Sequence, residues 1–466
     1  MALSGMEIFK LLPKTNCREC GLPTCIAFAM SLAADKIELS ACPYVSDEVK
    51  EKLAQAEAPP IAPVTIGSGD HAFKIGGESV MFRHDKRFNN PTGLAMRLTD
   101  TMDAGDVKER LMRFGKLRYR RMGSLLRPEL LAIDNQSKDS GKFVALIETV
   151  IQVSEARLIL MSEDPEVMAA GLACCAESKP LICAATTDNA DSMAELAVKH
   201  ACPLVAKAKG LAELGELSGR LTDAGVKEIV LDPGVRTLKE AFADQIHIRR
   251  AAIHQAIGTL SYPTITFPCE MTNDLSMETL LAATFIAKYA GIVVLSDFQG
   301  ESLYPLLMER MALFSDPQEP MMTPEGVYAI GEPDRYAPVI LASSWALTYY
   351  NLCLAAEVSR TPVFLCFERI TEPDVMCWCH HCLHSTQKGK FVAENTVRFV
   401  KKCKLEERVD HRTLVISARN AEFKAQLENA LPEWEIVVGP GEAVHLSGFL
   451  PELAEELREK RKLLQA

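Results

Sequence analysis

The sequence predicts an α/β protein with a small amino-terminal domain, a central β/α (TIM-type) barrel and a Rossmann-like carboxy-terminal domain. Short apolar runs alternate with longer helical patterns over most of the 466 residues, as expected for parallel sheets that are buried on both faces. Four cysteines near the amino terminus stand apart from this pattern, and a proline-rich stretch follows them. At ~150 residues per domain, the length suits about three domains.

The composition argues against several classes of partner. With 51 basic and 62 acidic residues the formal net charge is −11, so no general positive field is available for nucleic acid or a membrane surface. No run approaches the ~20 apolar residues that span a bilayer, and the acidic Glu7 does not suit a signal peptide, so we expect a cytoplasmic protein. Fifteen cysteines, an odd number, favour free thiols and metal ligands over a disulfide framework.

The first domain is predicted over residues 1–58, with three short helices. Ser4 and Glu7 are spaced as a capping box ahead of the first helix. A second helix should begin near Thr24. A third should begin near Ser46, because two acidic residues follow it in the first turn, where the helix dipole favours them.

Four cysteines of this domain follow the pattern C-x2-C-x4-C-x16-C. Thiolates grouped in this way suit an iron–sulfur cluster or a zinc ion, and a helix start at the third cysteine favours an anionic cluster through its free amides and dipole. Because the paired C-x2-C motifs of zinc ribbons are absent, we predict a 4Fe-4S cluster, while a structural zinc knuckle and four unligated thiols stay open. The predicted ligands are Cys17, Cys20, Cys25 and Cys42.

A linker is predicted over 59–69, because its prolines remove backbone donors and push their neighbours into extended conformations. The barrel is predicted over 70–320, where about eight strand-like runs favour a closed barrel over an open sheet. The predicted strands are Val80–Arg83, Phe143–Ile147, Leu158–Met161, Leu181–Ala184, Pro203–Ala206, Glu228–Leu231, Thr264–Phe267 and Gly291–Leu295.

The third domain is predicted over 321–466 as a smaller, open Rossmann-like sheet. Helical patterns such as Ala421–Ala430 separate its apolar runs. The predicted strands are Val339–Ala342, Val363–Phe367, Leu414–Ser417 and Glu435–Val438.

Several long segments resemble one protein family. The stretch LLPKTNCRECGLPTC and the later ACPY are similar to the amino-terminal cluster domain of the large (gamma) subunit of the corrinoid iron–sulfur protein, which belongs to the acetyl-CoA decarbonylase/synthase system. The similarity continues through FKIGGESVMFRHDKRFNNPTGLAMRLTDTMD, KPLICAATTDN, VKEIVLDPG, YAIGEPDRYAPVILASSWALTYY and WEIVVGPGEA. It covers nearly the whole chain, and the family has the same order of domains.

The resemblance implies a methyl carrier with two cofactors. A corrinoid would accept a methyl group on cobalt from a methyltetrahydropterin and pass it to acetyl-CoA synthase. The 4Fe-4S cluster would restore cobalt that has lost its reactive reduced state, so the protein would be a component of a corrinoid-dependent methyltransferase system. The implied partners are the smaller barrel subunit of a heterodimer, a pterin methyltransferase and acetyl-CoA synthase.

The resemblance also implies which residues hold the corrinoid. The family uses the segment after the first strand of the third domain, a loop after the second strand and a Gly-Pro turn near the end. Hydroxyl groups and exposed backbone at the carboxyl ends of strands suit the polar rim of such a ligand. The matching residues are Ser343, Thr348, Thr371, Glu372, Gly439, Pro440, Glu442 and Ala443.

The chain departs from the family after its second carboxy-terminal strand. The segment ERITEPDVMCWCHHCLHSTQKGKF is longer than the family's loop, and Pro373 replaces a glycine there. Its six soft or borderline ligands suit zinc, a second cluster or an axial imidazole for cobalt, although a variable surface loop is an equal alternative. A paralogue without corrinoid, acting in electron transfer or regulation, is therefore the rival hypothesis. The ligand-type residues are Cys377, Cys379, His380, His381, Cys382 and His384.

A third hypothesis places a pterin-dependent methyltransferase site in the barrel itself. The segments Asp232-Pro233-Gly234 and Asn89-Asn90-Pro91 are expected at positions where barrel enzymes carry their active sites. Because both segments also match the carrier family, we rank this hypothesis below the other two.

Overall fold

The computed structural model describes residues 5–33, 37, 39–46, 49, 59–69, 72–317, 321–368, 378 and 393–465. Its contacts divide the chain into two compact units. The first contains residues 1–117 and 128–314, and the second contains residues 118–127 and 315–466. The fold is mixed α/β, as predicted. Among the described helices, none is long and apolar enough to cross a membrane.

The amino-terminal segment contains two of the predicted helices, α1 (Gly5–Leu11) and α2 (Cys25–Ala33). They share a small core that includes Ile8 and Phe28. The hydroxyl of Thr24 accepts a hydrogen bond from the N–H of Ala27 at 3.2 Å, which confirms the predicted start of α2. The third predicted helix lies largely outside the described residues.

The segment predicted as a linker folds into a strand in its second half. Strand β1 (Val64–Ile66) pairs antiparallel with β2 (Phe73–Ile75). Val64, Ile66 and Ile75 are fully buried in the barrel core. The prolines before β1 prevent a helix but not an extended strand, so the linker prediction is wrong from Val64 onward.

The central domain is an eight-stranded parallel barrel. The strands follow one another in the order β10-β9-β8-β7-β6-β3-β12-β11. A parallel bridge between Leu231 and Thr264 joins β10 to the chain just before β11, and the N–H of Leu231 donates to the carbonyl of Pro263 at 2.8 Å. These contacts close the barrel. Its strands are β3 (Gly93–Thr99), β6 (Leu130–Asp134), β7 (Arg157–Met161), β8 (Leu181–Ala185), β9 (Leu204–Lys207), β10 (Ile229–Asp232), β11 (Ile265–Thr266) and β12 (Ile292–Leu295).

Two of the eight predicted barrel strands are wrong, although the predicted count is right. Val80–Arg83 lies in an irregular segment with bends and a turn. Phe143–Ile147 belongs to a helix, Ser140–Val153, and Asp139 caps the amino end of that helix. The apolar run in that helix is the buried face of a 3.6-residue repeat rather than a strand. The strands that take their places, β3 and β6, were not predicted.

The barrel helices lie between the strands and begin at side-chain caps in several cases. Asp103, Asp139, Asp164 and Asp274 each accept hydrogen bonds from first-turn amides, which satisfies donors that the helix itself cannot. The helices are α3 (Ala104–Lys116), α4 (Ser140–Val153), α5 (Pro165–Cys175), α6 (Ala190–His200), α7 (Leu211–Asp223), α8 (Leu238–Ile253), α9 (Leu275–Ala287) and α10 (Gly300–Leu313).

The second unit is built on a five-stranded sheet with the order β13-β15-β14-β16-β17. All neighbours are parallel except β13, which pairs antiparallel with β15. The four predicted strands are confirmed, and the edge strand β13 was not predicted. The strands are β13 (Gly326–Ile330), β14 (Val339–Ser343), β15 (Val363–Glu368), β16 (Thr413–Ser417) and β17 (Glu435–Gly439).

Helices cover both faces of this sheet, and each face has its own apolar core. A short hairpin of β4 (Tyr119–Arg121) and β5 (Ser124–Leu126) also belongs to the second unit. The predicted helical stretch 421–430 is a 3₁₀ turn (Ala418–Phe423) followed by a helix. The helices are α11 (Ala346–Ser359), α12 (Ala393–Lys402), α13 (Leu405–Arg408), α14 (Lys424–Ala430) and α15 (Leu446–Gln465).

Candidate functional site

Three of the four amino-terminal cysteines lie in or against the small core of α1 and α2. Cys25 and Cys42 are buried members of that core, and the half-buried Cys20 packs against it. Cys17 is exposed. Three of the four predicted ligands therefore share one small core.

Two polar residues connect these cysteines. Asn16, which precedes Cys17, is hydrogen bonded to Cys25 through both its side chain and its backbone. The hydroxyl of Tyr44 donates to Glu19 at 2.8 Å. That hydrogen bond and the charge of Glu19 raise the pKa of Tyr44, and the thiols of Cys17 and Cys42 raise it further, so both thiols lie near the same hydroxyl.

Four thiolates are a donor set for an iron–sulfur cluster or a zinc ion. Within the described part of the chain, no three Cys, His, Asp or Glu side chains lie close enough together to hold one metal ion. A 4Fe-4S cluster binds each thiolate at a different iron, so its ligands stand further apart than those of one zinc ion. Cys25 stands at the start of α2, where free amides and the helix dipole favour an anionic group.

The carboxy-terminal sheet has a topological switch point between β14 and β16. The chain leaves β14 for β15 on one side and later returns to β16 on the other side. Ligands of open α/β sheets bind outside the carboxyl ends of the strands at such a point. Ser343 ends β14 and Ser417 ends β16, so polar side chains stand on both sides of this crevice.

Several buried polar atoms at this edge have no hydrogen-bond partner among the described residues. They are the hydroxyls of Thr323, Ser343 and Ser344 and the side-chain oxygen of Asn420. Both serines are fully buried. Since a buried polar group without a partner costs about 1–3 kcal/mol, the fold maintains these groups at a stability cost, as expected for atoms that a ligand satisfies.

The Gly-Pro turn after β17 is held in place by residues that follow β16. The hydroxyl of Ser417 donates to the carbonyl of Gly441 at 3.2 Å. Arg419 donates to the same carbonyl at 2.8 Å and pairs with Glu442 at 2.8 Å. Ser417 and Arg419 were not predicted as site residues, because nothing in their local sequence distinguishes them.

The predicted corrinoid contacts are distributed over both faces of the sheet edge. Ser343 ends β14 two residues after Leu341, so both side chains lie on the same face of the sheet. Leu341 belongs to one apolar core. Ala443 belongs to the other core, and the helix that carries the buried Thr348 packs against the turn at Ala443–His445. Gly439 ends β17. Thr371 and Glu372 lie outside the described residues.

Glu368 and Trp378 are the described residues of the divergent segment, and the side chain of Trp378 is fully buried. Its ring N–H donates to the carbonyl of Leu341 at 2.9 Å, and its own carbonyl accepts from the N–H of Ala443 at 3.1 Å. A Cβ at Gly439 would stand 3.3 Å from its ring. Trp378 therefore packs against two of the predicted corrinoid contacts, Gly439 and Ala443, whereas the six Cys and His residues around it lie outside the described residues.

Glu368 is another residue that sequence reasoning missed. It is the register partner of Ser343, it is buried, and its carboxyl accepts a hydrogen bond from the hydroxyl of Thr396 at 2.8 Å. Burial raises the pKa of Glu368 to about 7, with Glu325 raising it further and Thr396 and Arg398 opposing the shift. Near neutral pH, this buried carboxyl is therefore divided between its protonated and ionised forms.

One of the two segments predicted as active-site elements of the barrel lies at the carboxyl ends of the strands. Asp232 ends β10 and is buried, and two nitrogens of Arg236 each bind its carboxyl at 2.9 Å. Arg236 also pairs with Glu270, which approaches Arg97 at 3.7 Å. The acidic and basic side chains at this end of the barrel therefore pair with one another.

The second segment lies at the opposite end of the barrel, so its prediction as an active-site element is wrong. Asn89 and Asn90 precede β3 and thus lie at the amino ends of the strands. Their side chains donate to the carbonyls of Gly77 and Gly76 in the chain after β2. These bonds hold the connection after β2 against the barrel. Residues at this end of a β/α barrel usually contribute to stability rather than to catalysis.

Two protein-family models match parts of this chain. The family model for the CO dehydrogenase/acetyl-CoA synthase delta subunit matches residues 63–450, and a family model for an Fe–S cluster domain matches residues 12–44. The chain resembles dihydropteroate synthase from Thermus thermophilus in fold alone, with 15% identity and a TM-score of 0.38 over 54% of this chain and 99% of that one.

Two named relatives match over almost their whole length. The corrinoid/iron–sulfur protein large subunit of Moorella thermoacetica is 38% identical over 96% of this chain and 98% of its own. The acetyl-CoA decarbonylase/synthase complex subunit gamma of Methanopyrus kandleri is 31% identical over 96% of this chain and 97% of its own. The resemblance drawn from the sequence is thus confirmed: the chain belongs to the CO dehydrogenase/acetyl-CoA synthase subunit family that includes the corrinoid iron–sulfur protein large subunits.

Proposed function

We propose that this chain is a corrinoid iron–sulfur methyl carrier. It holds a corrinoid at the carboxyl edge of its C-terminal sheet, accepts a methyl group from a methyltetrahydropterin and passes that group to acetyl-CoA synthase. The corrinoid supplies a strongly nucleophilic metal centre when it is bound and reduced. In this proposal residues 1–58 hold the cluster, residues 70–320 form the barrel and residues 321–466 bind the corrinoid.

The observation that carries this proposal is the set of unpartnered buried hydroxyls at the switch point. Ser343, Ser344 and Thr323 can each donate to and accept from a ligand. A corrinoid carries carboxamide groups around its rim, which need such partners. The hydroxyl groups of this edge therefore suit a corrinoid, the ligand that appears in the name of one relative.

The amino-terminal cysteines are proposed to hold a 4Fe-4S cluster that returns the corrinoid to its reactive reduced state. Cys17, Cys20, Cys25 and Cys42 are the ligands in this proposal. The cluster would act as an occasional electron donor rather than in each methyl transfer.

The partners are proposed to be a smaller barrel subunit, a pterin methyltransferase and acetyl-CoA synthase. An exposed apolar stripe on α11 supports a stable subunit contact: Leu347, Tyr350, Leu354 and Val358 recur at helical spacing and are 45%, 37%, 61% and 64% exposed. Relatives of this chain are named as subunits of a complex. Exchanging Leu354 for Glu should prevent copurification with the smaller subunit, and an unchanged complex would remove this support.

The activity is tested with reduced protein loaded with cobalamin. We expect a labelled methyl group to move from a methyltetrahydropterin to the protein when a pterin methyltransferase is present. The label should then appear in acetyl-CoA when acetyl-CoA synthase, carbon monoxide and coenzyme A are added. Transfer in the absence of this chain, or none in its presence, contradicts the proposal.

The second candidate is an iron–sulfur protein that has lost the corrinoid and acts in electron transfer or regulation. Trp378 favours it, because this side chain fills space beside Gly439 and Ala443. In this alternative, Cys377, Cys379, His380, His381, Cys382 and His384 bind zinc or a second cluster. Replacing Cys377, Cys379 and Cys382 by Ser should then remove metal beyond the first cluster, and unchanged metal content contradicts that binding.

A further inference from the structure

Asn16 holds the third cysteine ligand at two points. Its side-chain oxygen accepts a hydrogen bond from the backbone N–H of Cys25 at 2.7 Å. Its backbone N–H donates to the sulfur of Cys25 at 3.3 Å. Together the two bonds close the loop that carries Cys17 and Cys20, so the backbone and the sulfur of Cys25 are both fixed by one residue.

Asn16 makes both contacts from a left-handed backbone conformation. Its φ is 49°, in the left-handed region, which asparagine tolerates better than most residues with a side chain. Lys14, Arg18 and Gly21 also have positive φ values of 57°, 67° and 80°. The loop before α2 is therefore a tightly turned segment in which Asn16 is hydrogen bonded to Cys25.

A hydrogen bond to a ligand sulfur affects the electron affinity of a cluster. The reduced cluster carries one more negative charge than the oxidised cluster, so an N–H donor at a thiolate sulfur stabilises the reduced form more. Such bonds are among the factors that set the potentials of iron–sulfur clusters. The side-chain bond to the Cys25 amide keeps this donor and its acceptor in register.

We propose that Asn16 is a positioning residue that raises the reduction potential of the amino-terminal cluster by fixing the sulfur of Cys25 against its own backbone N–H. This inference rests on the proposed cluster ligands, but it is independent of the corrinoid. Asn16 is then a further residue, besides the four cysteine ligands, that affects the reduction potential of the cluster.

The test is an EPR-monitored redox titration of the anaerobically purified full chain. Asn16→Gly removes the carboxamide and keeps the left-handed backbone without strain. We expect unchanged iron content and a more negative midpoint potential, because the sulfur–N–H contact loosens. A midpoint equal to that of the unchanged protein overturns the proposal.

Thr24→Ala is the matched control. It removes the hydroxyl that caps α2 at the Ala27 amide and leaves both contacts of Asn16 in place. We expect lower thermal stability and an unchanged midpoint potential. If Thr24→Ala shifts the potential as much as Asn16→Gly does, the role of Asn16 is only structural and the proposal fails.

A second variant covers the case in which Asn16→Gly assembles no cluster. Asn16→Ser keeps a neutral oxygen acceptor on a shorter side chain, so its contact with the Cys25 amide is weakened without any change of charge. We expect full iron content with a more negative midpoint, and an unchanged midpoint overturns the proposal. Absence of iron from the unchanged protein would instead contradict the proposed cluster, and absence of cobalt would leave this test unaffected.

Discussion

The amino-terminal cysteine domain and the carboxyl edge of the C-terminal sheet both offer ligands, but they are built in opposite ways. The first gathers four thiols from one short stretch, around two helices and a loop held by Asn16. The second collects single residues from strands that are far apart in the chain, and it leaves several hydroxyls without partners. The difference teaches that a local ligand set can be recognised by spacing, whereas an edge site is recognised by topology and unsatisfied atoms.

The largest expected effect separates the two regions. Cys25→Ser should remove most of the ~4 irons of the cluster, because a buried ligand at the start of α2 is lost. Cobalt content should stay unchanged, since the carboxyl edge shares no residue with this domain. Cys174→Ser, at an exposed thiol, is the control and should retain full iron; loss of cobalt in Cys25→Ser would contradict the separation.

Trp378 tests how far the carboxyl edge depends on its buried tryptophan. Trp378→Ala should lower the free energy of unfolding by about 3–5 kcal/mol, the usual range for a large buried aromatic, as measured by denaturant titration. Trp378→Phe should cost less and should lose the bond to the Leu341 carbonyl.

The control for that series is Trp434→Phe. Trp434 is also buried, but its ring N–H has no partner among the described residues, so this exchange should cost less than Trp378→Phe. Equal costs at the two positions would show that the bond to Leu341 contributes nothing measurable.

Glu368 should give the carboxyl edge a pH dependence. Its pKa is about 7 in the folded chain and 4.5 in the unfolded reference, so the folded protein binds the proton more tightly. The free energy of unfolding therefore falls as pH rises from about 4.5 to about 7. Glu368→Gln should be more stable than the unchanged chain at pH 8, by up to about 3 kcal/mol, and equal to it near pH 4.

Thermal melts over pH 4–8 check this prediction. Glu109→Gln, at an exposed carboxyl that pairs with Arg113 one helical turn away, should show no comparable change. A constant difference between Glu368→Gln and the unchanged chain over the whole range would contradict proton linkage at Glu368.

The smallest expected effect concerns the unpartnered serine. Ser343→Ala should raise the stability of the ligand-free protein by about 1 kcal/mol, because it removes a buried hydroxyl without a partner. The same exchange should reduce the stabilisation that added cobalamin produces. Ser417→Ala is the matched comparison and should destabilise, since the Ser417 hydroxyl donates to Gly441; the same sign for both serines would contradict the ligand role of Ser343.

Much of the architecture followed from the sequence because buried parallel strands are continuous apolar runs. Those at 158–161, 181–184 and 363–367 are strands in the structure. The errors arose where this signal is ambiguous: Phe143–Ile147 is an apolar helix face, and the GLAMRLT segment of β3 includes Arg97, which obscures a buried strand. A short apolar run does not distinguish a strand from a helix without its neighbours.

The candidate sites divided in the same way. The spacing of Cys17 to Cys42 indicated a shared ligand set, and the structure places Cys20, Cys25 and Cys42 in or against one core. Glu368 and Trp378 were not recognisable, because only the strand register and the packing of the sheet edge bring them to Ser343 and Gly439. Asn89 and Asn90 were misplaced, because the predicted first strand preceded them whereas the observed one follows them.

The most direct test of the two-cofactor account is a metal analysis for iron, cobalt and zinc, combined with an absorption spectrum, on protein purified anaerobically after expression with corrinoid. The account predicts about four irons and one cobalt per chain, with the absorption of a bound corrinoid. Iron without cobalt, together with zinc or iron beyond one cluster, would contradict it and would show that the fold has been kept while the methyl-carrier chemistry has been lost.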